Sequence, residues 1–272
     1  MSLVATEWLE NNINKVKIID SSWHLPISNR DAYKEYTKEH IFNAIFFDLD
    51  NNSDQDSDLP HMLPNKNFWE KIVSSLGISN NDEIVVYDNS DLISSCRCWY
   101  TFIYFGHDPS LIHVLDGGLK KWKIEKRKTT TRKTKIINSN YIAEEKKDLV
   151  KNKKQIDENI INKNFKLIDA RNKNRFEGKE PEFRKNVKSG SIPNSICLPY
   201  TDLINKNHTF KELKVILFKF NNIFGSKLPK DVVFSCGSGV TAAVLSLAYS
   251  LINNKYLPTV YDGSWAEYGK IK

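Results

Sequence analysis

A chain of 272 residues, 40% hydrophobic and 27% charged, is long enough for about two domains of ordinary size and too polar for a membrane class. Its four cysteines are too few for a disulfide scaffold, and no stretch approaches the roughly 18 apolar residues of a membrane span. MSLVATEWLENNINKVKIID has neither a signal peptide's basic-then-apolar order nor the acid-poor look of a transit peptide. A reducing cytoplasm with free thiols is the expectation. The net charge of +7 is scattered over lysines without an aromatic–basic stripe, which argues for a solvated surface and against a nucleic-acid partner.

In chain order, KVKIIDSSWHL (15–25) reads as a strand that ends at an Asp and enters a loop. EHIFNAIFFDLD (39–50) gives turn residues and then a short apolar strand. NFWEKIVSSLGI (67–78) has helical periodicity, DEIVVYDNSD (82–91) is a strand entering a loop, and SCRCWYTFIYFGH (95–107) is a second helix. IHVLDGGLKKW (112–122) is a strand, an Asp-Gly turn and a helix start. The order then returns in NFKLIDARNKNRF (164–176), SGSIPNSICLPYTDL (189–203), KDVVFSCGSG (230–239) and PTVYDGSWAEY (258–268), with helices over 210–225 and 240–252. Four matched pairs in one order argue for a duplication. Alternation of short β-branched runs with helices predicts an α/β fold, each half a mainly parallel sheet flanked by helices. The expected boundaries are a first domain over 1–123, a linker over 124–156, where Lys and Thr dominate, and a second domain over 157–272.

One cysteine stands apart. Cys236 follows the apolar run VVF (232–234) and precedes a helix, so it lies beyond the carboxyl end of a strand, where open α/β sheets bind ligands. Gly237 and Gly239 let the loop tighten and turn N–H groups inward, and with the helix dipole this favours a thiolate. An inert, packed cysteine is the other reading of the same residues. A phosphatase would need an arginine six residues on; position 242 is Ala. Cys96 and Cys98, spaced as neither a zinc site nor a redox pair, read as packing residues, as does Cys197.

CGSGVTAA with YDGSWAEYG downstream resembles the active-site loop and closing segment of the tandem rhodanese family, in its mercaptopyruvate sulfurtransferase branch. SWHLP (22–26), HMLP (61–64), LDGGLKKW (115–122) and RFEGKEPEFR (175–184) fall in family order, so the resemblance covers essentially the whole chain. It implies two rhodanese domains, the first without the catalytic cysteine; Asp88–Asp91 stand where the second half has Ser235–Ser238. It implies that Cys236 takes sulfur from 3-mercaptopyruvate as a persulfide and passes it to a small thiol, cyanide or a thioredoxin-like protein, with no metal or organic cofactor. Arg175 and Arg184 would hold the donor's carboxylate, and Gly237, Gly239, Val240 and Thr241 would complete its loop. On the residues alone, the two arginines could equally pair with Glu177, Glu180 or Glu182.

The resemblance also links Ser238 to His61 and Asp50 as a proton relay for the enolate product. The chain departs from the family at Pro60, where Asp usually precedes the histidine, and at Ser191, where a histidine usually stands. The neutral Gly237 and Ser238, in place of basic loop residues, favour mercaptopyruvate over thiosulfate. A thiosulfate sulfurtransferase and a non-catalytic rhodanese module that binds a partner protein are the alternatives.

Overall fold

The computed structural model describes residues 2–271. Contacts divide the chain into two compact units. The first runs to Gln55 and includes Leu63–Lys146 and Lys206–Thr209; the second comprises Asp56–Met62, Lys147–Asn205 and the chain from Phe210 on.

In the first unit the strands are β1 (Leu3–Val4), β2 (Lys17–Asp20), β3 (His40–Ile41), β4 (Ala44–Phe46), β5 (Ile84–Tyr87), β6 (Ile112–Leu115) and β7 (Thr129–Thr130). The helices are α1 (Thr6–Asn12), α2 (Ala32–Lys38), α3 (Lys66–Ser75), α4 (Ser95–Tyr104) and α5 (Gly118–Ile124). A parallel sheet has the order β1-β6-β5-β2-β4, while β3 and β7 form a separate antiparallel pair. Runs such as IVVY in β5, buried at every residue, are what a sheet covered on both faces requires.

The second unit repeats this plan. Its strands are β8 (Val150–Lys151), β9 (Lys166–Asp169), β10 (Ile196–Cys197), β11 (Val232–Ser235) and β12 (Val260–Tyr261), in the parallel order β10-β9-β11-β12-β8. Its helices are α6 (Lys153–Asn162), α7 (Lys173–Phe176), α8 (Leu213–Phe224), α9 (Val240–Ser250) and α10 (Ser264–Tyr268). Replacing β1, β2, β4, β5 and β6 by β8, β9, β10, β11 and β12 converts one order into the other, so the duplication extends to sheet topology.

Helix α9 is buried from Val240 through Tyr249, as expected of a helix apolar on all sides. Three named elements reach into 124–156 beyond the end of α5, in the stretch expected as a linker: β7, β8 and the start of α6. Asn152 and Gln155 form a reciprocal capping box there, which fixes where α6 begins.

The two halves superpose with a one-residue correction to the sequence reading. Tyr87 pairs with Asp20 as Ser235 pairs with Asp169. The carbonyl of Asp88 accepts from Leu119 N–H at 2.9 Å, as that of Cys236 accepts from Trp265 N–H at 2.9 Å. Asp88, rather than Asn89, therefore occupies the position of Cys236. Among the described residues no helix is long and apolar enough to cross a membrane, and no group of three or more His, Cys, Asp or Glu side chains could hold a metal ion.

Candidate active site

Strand β11 ends at Ser235 and α9 begins at Val240, so residues 236–239 make the whole turn. Gly239 sits in the left-handed region at φ 81°, a conformation that favours glycine. Cys236 is 2% exposed and Ser238 4% exposed at the base of this turn. Val240 and Thr241, buried, form the first turn of α9.

Ser264 shapes the loop. Its hydroxyl accepts from the N–H groups of Cys236 and Gly239, both at 3.1 Å, and donates to the Tyr261 carbonyl at 2.8 Å. Of the loop N–H groups expected to turn inward, those of Cys236 and Gly239 are held by this side chain. Trp265 N–H and Ala266 N–H bind the carbonyls of Cys236 and Gly237, each at 2.9 Å. Ser264 adopts φ 48° to do this, a strained value for a residue with a Cβ. Behind it, Arg171 pairs with Asp169 at 2.8 Å, donates to the Gly190 carbonyl and stacks on Trp265, its guanidinium carbon 4.7 Å from the ring centroid.

Above the loop stand the two expected arginines. Asn172 caps α7 by accepting from Arg175 N–H at 2.7 Å, which aims Arg175 from a short helix. A Cβ built on Gly237 would lie 3.0 and 3.2 Å from the two Nη atoms of Arg184 and 3.5 Å from Nη2 of Arg175. Glycine at 237 is what lets the Arg184 guanidinium approach the turn this closely, while Arg175 would stay in ordinary contact. Both also lie over Phe183, at 4.8 Å for Arg175 and 4.5 Å for Arg184. Of the three glutamates in this stretch, Glu182 is the one that pairs with both, at 2.8 Å to Arg175 and 3.1 Å to Arg184. Burial, with the neighbouring Arg175 charge, lowers the proton affinity of Arg184, and the Glu182 charge opposes that loss.

His61 lies in Asp56–Met62, the first-half segment that belongs to the second unit, and is buried with its backbone at φ 61°. Its Nδ1 lies 2.9 Å from Ser238 Oγ, and Arg184 Nη2 donates to the same hydroxyl at 3.3 Å. Asp50 belongs to the first unit, where both carboxylate oxygens accept from the Trp23 indole N–H at 3.0 Å. Cys236, Ser238, His61, Arg175 and Arg184 are thus gathered around one turn.

The other cysteines have different surroundings. Burial, with the Asp88 charge, pushes the Cys96 thiol well up; burial does the same to Cys98 and takes Cys197 to about 11. Such thiols stay protonated at neutral pH.

Glu182, Phe183 and Ser264 were not singled out from the sequence. The signal for Ser264 was available in DGSW, where the other half has DGGL.

A family model described as Rhodanese-like domain matches residues 5–125 and again 152–270. The chain is 35% identical to "Thiosulfate/3-mercaptopyruvate sulfurtransferase 1, mitochondrial" of Arabidopsis thaliana, over 98% of this chain and 75% of that one. It is equally 35% identical to the "3-mercaptopyruvate sulfurtransferase" of Mus musculus, over 98% of this chain and 91% of that one. Among solved structures, the Tum1 protein of Saccharomyces cerevisiae matches with a TM-score of 0.87 at 28% identity, covering 98% of this chain and 94% of that one. Two matched sheets, the loop at Cys236 and the two family matches agree: the chain belongs to the rhodanese family, with two rhodanese-like domains.

Proposed function

We propose that this chain is a sulfurtransferase that takes sulfur from 3-mercaptopyruvate onto Cys236 and hands it to a thiol or cyanide acceptor, releasing pyruvate. One observation carries the reading: a cysteine at a strand end, under two guanidinium groups that approach its loop over Gly237. Planar forks of N–H donors suit the donor's carboxylate.

The Cys236 thiolate attacks the donor sulfur. The S–S bond forms as the C–S bond breaks, and the electron pair leaves on carbon as the enolate of pyruvate. Cys236 is then a persulfide that keeps the donor's thiol proton. The enolate must gain one proton, and the hydrogen bond between Ser238 and His61 supports Ser238 as its relay. This is covalent catalysis in two halves, the second being attack by the acceptor on the outer sulfur. Asp50 enters as the residue that orients the imidazole on the resemblance alone. A small thiol or a thioredoxin-like protein is the acceptor we propose. A cytoplasmic setting fits the free cysteines; one relative is named as mitochondrial, and cell fractionation decides between the two.

A second reading is that thiosulfate is the preferred donor, since one relative's name carries both substrates and paired guanidinium groups attract any anion. Side-by-side kcat/KM for the two donors, with one thiol acceptor and intact-mass detection of one added sulfur atom on Cys236, separates these readings. A lead of about a hundredfold for mercaptopyruvate supports the proposal. A lead for thiosulfate moves the donor assignment and leaves the persulfide chemistry. Labelling by neither removes the enzyme reading in favour of a binding module.

A further inference from the structure

Glu182 has no part in the chemistry above, yet it is the most enclosed member of the cation cluster. Its side chain is 2% exposed, against 19% for Arg175 and 17% for Arg184. One carboxylate serves both arginines. Arg175 Nη2 donates to its two oxygens at 2.8 and 3.1 Å, and Arg184 Nη1 donates to Oε1 at 3.1 Å. Burial works against its charge, but the hydrogen bond from Arg175 and the charges of both arginines outweigh burial and hold it below the ordinary glutamate range. At neutral pH the cluster is therefore two cations and one anion.

The consequence is electrostatic. Two guanidinium groups alone would present a double positive charge, the match for a dianion. With Glu182 ionised between them the three side chains sum to +1, one unit less than the arginines alone, which favours a single carboxylate over a dianion. Glu182 also occupies one Nη of each fork. Arg184 keeps Nη2 facing Ser238 at 3.3 Å, and Nε of Arg175 is buried without a protein partner. Phe183 closes one face of both forks, so their attraction for an anion is less screened than on an open surface.

We infer that Glu182 determines donor choice: by cancelling one of the two guanidinium charges, it tunes the site to a monoanionic α-keto acid donor and against a dianionic inorganic one. The inference rests on the sulfurtransferase reading above. Glu182 acts through the arginines and touches no reacting atom, which makes it a positioning residue.

The test is the ratio of kcat/KM for thiosulfate to that for 3-mercaptopyruvate in three proteins: wild type, Glu182→Gln and Glu182→Asp. Gln keeps the size and an acceptor oxygen and removes the charge; Asp keeps the charge and shortens the reach. A dianion gains twice as much as a monoanion from one added unit of site charge, so the ratio rises about tenfold or more in Glu182→Gln, carried mainly by KM. In Glu182→Asp it stays within about threefold of wild type, even where both donors lose rate. A ratio within about twofold of wild type in Glu182→Gln overturns the inference, as does an equal shift in both variants, which would make shape rather than charge the cause.

Should Glu182→Gln fail to fold, Arg175→Gln gives the opposite sign: with one guanidinium charge gone and Glu182 retained, the thiosulfate-to-mercaptopyruvate ratio falls about tenfold, and a ratio within about twofold of wild type overturns the charge assignment. Wild type that loads sulfur on Cys236, with the ratio unmoved in Glu182→Gln, removes the role of Glu182 alone. Wild type that loads from neither donor removes the underlying reading and this inference with it.

Discussion

At the scale of single residues, Gly237 shows how closely Arg184 approaches the turn at Cys236. A methyl group there would meet Arg184 at 3.0 Å, and the guanidinium must yield before backbone does. We predict that Gly237→Ala raises KM for the sulfur donor by about tenfold with a smaller change in kcat, the cost of weakening one charge-assisted hydrogen bond. Steady-state kinetics check it; an unchanged KM means that the arginines do not bind the donor where they stand. Cys236 was legible as a candidate because an apolar run, a Cys-Gly-Ser-Gly turn and a helix follow one another, whereas Ser238 entered through the resemblance. Glu182 was not. Three glutamates lie within a few residues of two arginines, and spacing does not tell which one is enclosed.

At the scale of elements, β2 and β9 end alike and differ in one partner. Both close on an Asp whose carboxylate accepts the N–H two residues on. Asp169 has Arg171 beside it; at Asp20 the corresponding residue is Ser22, which donates through its hydroxyl. Burial accordingly lifts Asp20 to about 6 from 3.8, against the pull of Ser22. A raised folded-state value means that the neutral acid is the form that suits the fold. Its contribution is complete below about pH 4, and is lost as pH rises through 6. We predict that Asp20→Asn gains on wild type by roughly 1–3 kcal/mol between pH 4 and 8, read as thermal midpoints at both values. A difference that does not move with pH rules out Asp20 as the titrating group. The strand itself was legible from KIID; its burial is set by the neighbouring strands, which lie far along the chain.

At the scale of the molecule, the duplication was visible as four matched segments, and the sheets repeat strand for strand. The resolution of that reading was one residue too coarse at the loop, because a loop's register is fixed by strand pairing, not by composition. With the register corrected, Asp88 stands where Cys236 does and Gly118 where Ser264 does. The first unit thus lacks the hydroxyl that shapes the loop. Arg30, beside it, is bound to Glu35 and to the Asn89 carbonyl. The Asp88 carboxylate accepts from Ser90 N–H and Ser95 N–H. Restoring a thiol alone is therefore not enough. We predict that Asp88→Cys still loads one sulfur atom per chain, on Cys236, by intact mass and peptide mapping; a second sulfur on residue 88 would show that the scaffold, without its hydroxyl, suffices.

Ser264 has a consequence for the reaction cycle. Its oxygen already makes three hydrogen bonds, two accepted and one donated, so it has no proton left to offer an incoming sulfur. It cannot respond to the persulfide; it can only hold the turn at one radius before and after loading. The backbone around Cys236 is then a mould cast in advance, and the work of rearrangement is met during folding, in the strained φ of one buried serine, instead of at each turnover.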